Sequence, residues 1–427
     1  MDRLKAWRSA LEPILAVALL VNAAAAGFHD FTHFYGVDYY HYWGIPIARD
    51  ALGSDPYAST SEYARFLNQM SDASTDIDLR WANHFRRAIE PTGTPLFYAA
   101  CSLLPGSFGA GYAGIIAILF AAMGASVFAM GRAAGIGAWR SLALAAVVAV
   151  TFAPFNEDVR VGNVSSLQLA FLVALAFSRS RLDAVYLPAL AFAVVLKPNI
   201  AVAAAALALH FIATRDRRAT LTGIAWSAAV VLLGYALGSA YFPGASAWSD
   251  WSAYLHGANG GTILYGTDVG NVSPAVLLSK RLGGMGPAGY AVASAVALAA
   301  ILAASLASFG REPGLLAERI RGCLEDPWCM ASLGVLFMFA TSPLIWPHYF
   351  MLSLIPMLWS WRGAQRWDVA RGLVVIGYLL MVLPLSLGAA AQAQNSLLFT
   401  LGWFPVAGAV CARLAQSQSN TNRSRLT

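Results

Sequence analysis

Residues 109–131, GAGYAGIIAILFAAMGASVFAMG, hold no charged side chain, and Arg132 follows at once. Wound as a helix at about 1.5 Å per residue, such a run is about 34 Å long, enough to cross a hydrocarbon core of about 30 Å. Runs of this kind recur along the chain. Crossings are expected near residues 11–28, 109–131, 138–155, 163–178, 183–197, 198–213, 219–242, 287–309, 327–345, 347–361, 371–388 and 395–413. The whole chain of 427 residues is 58% hydrophobic and 12% charged, against about 45–50% and 25% for soluble domains. That excludes an ordinary soluble enzyme. The formal charge of +6 is no sign of nucleic-acid binding, because the charges fall between apolar runs. The expectation is an all-α polytopic membrane protein with about 12 transmembrane helices. A further re-entrant or interfacial helix is expected at Thr94–Leu104, which is too short to span and ends at Pro105-Gly106. Residues 1–415 read as one transmembrane domain, and the Ser-, Asn- and Arg-rich stretch 416–427 as a disordered tail.

Charge asymmetry sets the expected orientation. Arg3, Lys5 and Arg8 precede the first apolar run, which reads as an anchor with a cytoplasmic N-terminus. The inner connections then collect Arg132, Arg140, Arg179, Arg181, Arg215, Arg217, Arg218, Arg311, Arg319, Arg321, Arg362, Arg366 and Arg371. With the termini, that is 19 of the 28 basic residues inside, as the positive-inside rule requires. Both termini are therefore expected in the cytoplasm and two long loops, 29–94 and 243–286, on the periplasmic side of an inner membrane, where the active site is expected. No internal repeat is evident, which weakens a transporter reading. Cys101, Cys323, Cys329 and Cys411 form no CxxC pair and are expected to be free thiols.

The first outer loop is locally acidic, with nine acids from Asp30 to Glu90 against five bases. It opens with Gly36-Val37-Asp38-Tyr39-Tyr40-His41-Tyr42-Trp43, where Tyr39, Tyr42, Trp43 and Ile47 have helical spacing. An interfacial helix would bury these aromatics. Asp38 at its N-terminus is either a helix cap or a general base at the mouth of a membrane cavity. Gly53-Ser54-Asp55-Pro56-Tyr57 and Pro91-Thr92-Gly93-Thr94-Pro95 read first as turns. Asn156 to Asn163 forms a polar turn that caps the next helix or lines the same cavity. Lys197-Pro198-Asn199 interrupts an apolar stretch with a cation and a helix breaker, so Lys197 either binds a phosphate or snorkels. Lys280 and Arg281 are a second basic pair on that face. In Thr341-Ser342-Pro343-Leu344-Ile345-Trp346-Pro347-His348-Tyr349, two prolines unwind a helix beside the last histidine of the chain, exposing backbone and polar groups together. A carboxylate, cations, a histidine and aromatics around one outer cavity suit attack by a hydroxyl on a carbon bearing a phosphate leaving group. Nucleotide sugars are absent outside the membrane, so the donor would be lipid-linked.

Val37-Asp38, Tyr42-Trp43-Gly44, Gly53-Ser54-Asp55-Pro56-Tyr57, Thr94-Pro95 with Leu104-Pro105, Gly162-Asn163, Leu196-Lys197-Pro198 and Ser342-Pro343-Leu344-Ile345-Trp346-Pro347-His348 follow one another in this order. In that order they resemble the polyprenol-phosphate-mannose-dependent mannosyltransferases of the GT-C class, a family that includes a mycobacterial enzyme extending phosphatidylinositol mannosides. The resemblance implies a GT-C fold and an inverting transfer of a hexose, mannose first, to a lipid or glycan hydroxyl. It implies that Asp38 is the base and that His348 lies near the donor phosphate, and it matches Lys197 to a recurrent lysine at a helix break. The chain departs from the family at Gly93-Thr94-Pro95, where Tyr-Pro-Pro is common, and at Gly162-Asn163, where Gly-Gln is usual.

The expectation is thus a membrane hexosyltransferase with Asp38 catalytic. His348, Lys197, Lys280 and Arg281 would hold the donor phosphate, and Tyr42, Trp43, Asp55, Trp346 and Asn163 would bind sugar or acceptor. Its partners would be a polyprenyl-phosphate sugar, a lipid or glycan acceptor and membrane lipids, with no nucleic acid, no cofactor, no metal and a monomeric state. A glycan ligase or lipid-phosphate transferase, and a lipid or sugar transporter, are the rival readings.

Overall fold

The computed structural model describes residues 12–23, 25, 36–85, 87–104, 106–178, 183–242, 246–256, 271–281, 287–309, 313–362, 368–387 and 392–425. Arg3, Lys5, Arg8, Asp30, Arg86, Arg179, Arg181, Arg311, Arg366 and much of the loop 243–286 lie outside the described residues. Every regular element among the described residues is helical. In chain order these are α1 (Glu12–Ala23), α2 (Val37–Leu52), α3 (Thr60–Asp72), α4 (Ile77–Phe85), α5 (Pro95–Cys101), α6 (Phe108–Ala133) and α7 (Ala138–Thr151). There follow α8 (Ala153–Val161), α9 (Ser165–Phe177), α10 (Asp183–Leu196), α11 (Ala201–Thr214), α12 (Arg217–Tyr241), α13 (Ala247–His256) and α14 (Pro274–Arg281). The last are α15 (Pro287–Phe309), α16 (Pro313–Glu325), α17 (Pro327–Thr341), α18 (Leu354–Trp361), α19 (Val369–Leu387) and α20 (Gln392–Arg425). Two 3-10 helices, Pro198–Ile200 and Pro347–Ser353, stand where the sequence places its helix breaks. Helix α20 runs through most of the stretch expected to be a disordered tail.

Among the described residues, four helices are long and apolar enough to cross a membrane, and six crossings result if each of two bent helix pairs counts as one. The expected count of about twelve is not reached on length. Five expected crossings fall on shorter apolar helices, Glu12–Ala23, Ser165–Phe177, Asp183–Leu196, Pro198–Thr214 and Val369–Leu383. A helix of 14 residues such as α10 is about 21 Å long and spans only part of a core of about 30 Å. Side-chain exposure carries the membrane reading further. Only 17% of the apolar window of α12 is buried within the protein, while Trp226, Leu232 and Leu233 point outward. Apolar surface on that scale is covered by lipid in a stable protein.

Helix α2 begins differently from the expectation. Gly36, in the left-handed region at φ 52°, is its N-cap, and no side chain caps it. Asp38 lies one residue inside the helix. The helix is also not an interfacial one with a single buried stripe, because Tyr39, Tyr40, His41 and Trp43 are all buried. The Tyr40 hydroxyl donates to Asn83 Oδ1 at 2.8 Å, and Trp43 Nε1 donates to the Gly106 carbonyl at 3.1 Å. Helices α3, α4 and α6 cover it instead of a membrane surface.

The turn after α8 is closed by Gly162, also left-handed at φ 67°. A Cβ there would stand 2.7 Å from Tyr39 Cβ and 3.1 Å from the Tyr112 ring. Gly162→Ala therefore combines a conformational cost of about 1–2 kcal/mol with an overpacking cost of about 1–3 kcal/mol. Gly53 has the same φ of 67° with nothing within 4 Å of its Cβ position, so Gly53→Ala isolates the first cost. Thermal unfolding in detergent is expected to fall further for Gly162→Ala than for Gly53→Ala; equal shifts would contradict the close approach to Tyr39.

Cys323 and Cys329 are joined by a disulfide, with Cα atoms 5.6 Å apart, which corrects the expectation of four free thiols. The bend of 94° between α16 and α17 brings them together. Asp326 holds that bend by accepting from Trp328 N at 2.9 Å. Cys101 and Cys411 form no disulfide among the described residues.

Candidate active site

A cavity of about 310 Å³ opens where α2, α5, the α10–α11 break, α13 and the α17 break converge. Its size is at the low end of ligand pockets, about 300–1,000 Å³. Asp38, Tyr42, Asn163, Lys197 and Trp346 line it, so five of the ten residues singled out from sequence meet there.

Asp38 and Tyr42 come from the first two turns of α2, and Lys197, Asn163 and Trp346 are each delivered by a local interruption of helix. Pro198 ends α10, which leaves the Leu196 carbonyl without a helical partner. The Thr94 hydroxyl donates to it at 3.0 Å and accepts from Phe97 N at 3.1 Å, so one side chain caps α5 and fixes the backbone beside Lys197. On the other side of Lys197, the amides of Asn199 and Gln168 pair reciprocally at 2.7 and 3.1 Å, tying the break to α9. Most of the stretch 156–163 expected to be a polar turn is the end of α8, and from its last turn Asp158 caps α9: its carboxylate accepts from Ser165 N, Ser166 N and the Ser166 hydroxyl at 3.1, 2.8 and 2.6 Å. Asn163, beyond Gly162, lines the cavity, so both roles read for that stretch are filled, by different residues. At the third break, Ser342 to Ile345 is laced to residues 271–273. Asn271 Nδ2 donates to the Pro343 carbonyl at 2.7 Å, Val272 N to the Ile345 carbonyl at 2.7 Å and the Ser273 hydroxyl to the Ser342 carbonyl at 2.6 Å. These bonds satisfy an unwound backbone that would otherwise be buried at a cost.

The polar centre is a chain of three side chains. Asn163 Nδ2 donates to Asp38 Oδ2 at 2.6 Å, and Lys197 Nζ donates to Asn163 Oδ1 at 2.6 Å. Lys197 Nζ also donates to the Tyr42 hydroxyl at 3.3 Å and lies 5.6, 5.7 and 5.9 Å from the ring centres of Tyr42, Phe97 and Tyr349. Asp38 is 6% exposed and Asn163 4% exposed. The arrangement places a proton acceptor and an ammonium ion in one enclosed space with an apolar and aromatic wall, suited to a ligand that carries both an anion and a greasy or sugar-like body.

The other five residues lie elsewhere. Lys280 and Arg281 end α14 on its exposed surface and do not line the cavity; spacing along the chain gives no information on which way the last turn of α14 faces. Asp55 is a turn residue: its Oδ1 accepts from Tyr57 N at 2.8 Å and Ala58 N at 3.0 Å. Burial raises its carboxyl above the ordinary range against the pull of those two amides, with Asp250 adding to the rise. Trp43 is part of the core against Phe108. His348 is 2% exposed and is not part of the cavity wall, although it is edge-on to Tyr349 at 4.6 Å and tilted against Trp346 at 5.8 Å. Its Nε2 has no hydrogen-bond partner among the described residues.

Several wall residues were not found from sequence as site residues. Thr92, Gly93 and Thr94 belong to the stretch read as turn punctuation, Glu90 immediately precedes it, and Trp251 and Leu255 come from α13. Trp248 and Trp251, three residues apart in the loop 243–286, were the available signal. Trp251 Nε1 donates to the Thr92 carbonyl at 3.2 Å, and so docks this segment on the stretch before α5.

No curated protein and no solved structure matches the chain. The model of glycosyltransferase family 87 matches residues 90–343, more than half of the chain. That range holds Thr94, Asn163 and Lys197, and it ends at the third break. On this match and its apolar helices, the chain belongs to glycosyltransferase family 87, a family of GT-C-type membrane glycosyltransferases.

Proposed function

We propose that the protein transfers a hexose, mannose in the first place, from a polyprenyl-phosphate sugar to a hydroxyl of a lipid or glycan acceptor, with inversion at the anomeric carbon. Asp38 removes the acceptor proton as the hydroxyl attacks, and the bond from the anomeric carbon to the phosphate oxygen breaks. Lys197 stabilises the charge that grows on the leaving phosphate, and a phosphate oxygen reaching Nε2 of His348 would satisfy that buried nitrogen. Tyr42 and Trp346 face the sugar. The observation that carries the reading is the meeting of Asp38 and Lys197 in one aromatic-walled cavity through Asn163. The charge asymmetry of the sequence supports placing this cavity at the periplasmic face of an inner membrane.

Purified protein in detergent, given radiolabelled polyprenyl-phosphate mannose and a membrane lipid extract, is expected to yield a labelled product of opposite anomeric configuration. Glucose, galactose and arabinose donors run alongside decide the sugar. Silence with every donor would overturn the reading, and a product of retained configuration would overturn the single displacement.

A further inference from the structure

The geometry points to Asn163 as a positioning residue that holds the base and the cation of this site apart. It was expected to bind sugar or acceptor, but both ends of its amide are already engaged. Lysine offers only donors and an ionised carboxylate only acceptors, so the amide has one workable orientation. Its Oδ1 faces Lys197 Nζ and its Nδ2 faces Asp38 Oδ2, each at 2.6 Å. Oδ1 also accepts from Val164 N at 2.7 Å, which locks the side chain to its own turn. The turn is itself fixed, since Gly162 N donates to the Val159 carbonyl at 3.1 Å and Asn163 N to the Asp158 carbonyl at 3.0 Å.

The consequence is chemical. A carboxylate and an ammonium ion free to meet in a buried cavity would form an ion pair, each satisfying the other. Paired, Asp38 is a weaker base and Lys197 has less to offer a phosphate. With the amide between them, Asp38 accepts from a neutral N–H donor in place of an ammonium ion. Lys197 spends one proton on Asn163 and one on Tyr42, and its third meets no acceptor among the described residues. Among the described residues, other titratable groups facing Asp38 include Tyr42 on its own helix, Tyr98 on α5 and Tyr349 after the third break.

This inference rests on the proposed role of Asp38, and its test separates the two. Asn163→Asp keeps the shape, replaces the N–H donor to Asp38 with an anionic oxygen and gives Lys197 a charged partner. Asn163→Gln keeps both amide groups. For Asn163→Asp, the acid limb of kcat/KM against pH is expected to move up by about one pH unit, since a like charge at this range disfavours ionisation. KM for the donor is expected to rise about tenfold, with thermal unfolding unchanged. For Asn163→Gln the limb and KM are expected to return towards wild type. Infrared titration of the Asp38 carboxyl, identified by its loss when Asp38→Asn is added in the same background, reads the same upward shift without any substrate. An unmoved carboxyl titration, or a Gln variant as impaired as the Asp variant, would overturn the positioning role. A shifted titration in a protein that transfers no sugar would leave Asn163 in place and overturn only the transferase reading.

Discussion

Asp38→Asn is expected to lower kcat about 1,000-fold while leaving the donor KM close to wild type. The substitution is nearly isosteric, and the amide oxygen still accepts from Asn163 Nδ2, so the buried contact at 2.6 Å survives. What is lost is a group that takes a proton. General-base catalysis contributes about 10²–10⁴-fold, and 1,000-fold corresponds to about 4 kcal/mol in the barrier. Because Asp38 does not cap α2, the change should cost little stability, and unfolding in detergent should coincide with wild type. The initial rate of label transfer at saturating donor is the measurement. A variant that keeps more than a tenth of the wild-type rate would remove Asp38 from the chemistry.

Lys197→Met should reduce kcat/KM for the donor about 100- to 1,000-fold, with losses in both terms. Methionine retains the length and apolar stem but carries no charge. The lysine stands where α10 breaks, amid three aromatic rings and two hydrogen-bond acceptors, which is a costly place for a cation unless an anion visits it. Removing one preorganised donor to a developing oxyanion costs about 10²–10³-fold in other enzymes. Lys197→Arg is expected to recover only part of the loss, since the wider guanidinium changes both the reach and the fit to Asn163 and Tyr42. Equal kcat/KM for Lys197→Met and wild type would assign the lysine a packing role.

The helical and membrane character of the chain was legible because apolar runs are a direct record of what must leave water. The number of crossings was less so. Runs such as 163–178 and 183–197 look sufficient as composition, whereas the folded helices are shortened by Asn163 at one end and by Pro198 at another. In the site, Asp38, Lys197, Asn163, Tyr42 and Trp346 stood out because a polar group or a proline in an apolar context has to be explained, and the fold does gather them. Trp43, Asp55, Lys280 and Arg281 stood out on the same grounds but lie outside the cavity wall. The surroundings of Trp43 are made by contacts from elsewhere, Phe108 and Gly106, whereas Asp55 is engaged by the amides of its own turn, Tyr57 and Ala58. The Cys323–Cys329 bridge was hidden for a related reason: it depends on a bend at Asp326, and the spacing alone fits no familiar pattern.

Tyr112 carries a consequence for how such an enzyme diversifies. Its hydroxyl donates to the carbonyls of Val159 and Arg160, Gly36 N donates to the Arg160 carbonyl, and two of the left-handed glycines, Gly36 and Gly162, come within about 3 Å of its ring when given a Cβ. The first turn of α2 is thereby pinned through main-chain atoms to the turn that carries Asn163. The segment 53–94, which supplies Glu90, Thr92 and Gly93 to the wall, is attached downstream of that anchor. Selection for a new acceptor can rework that segment in length or sequence while Asp38, the proposed base, inherits its placement unchanged, so on this proposal specificity and catalytic geometry are separately heritable parts of the same loop.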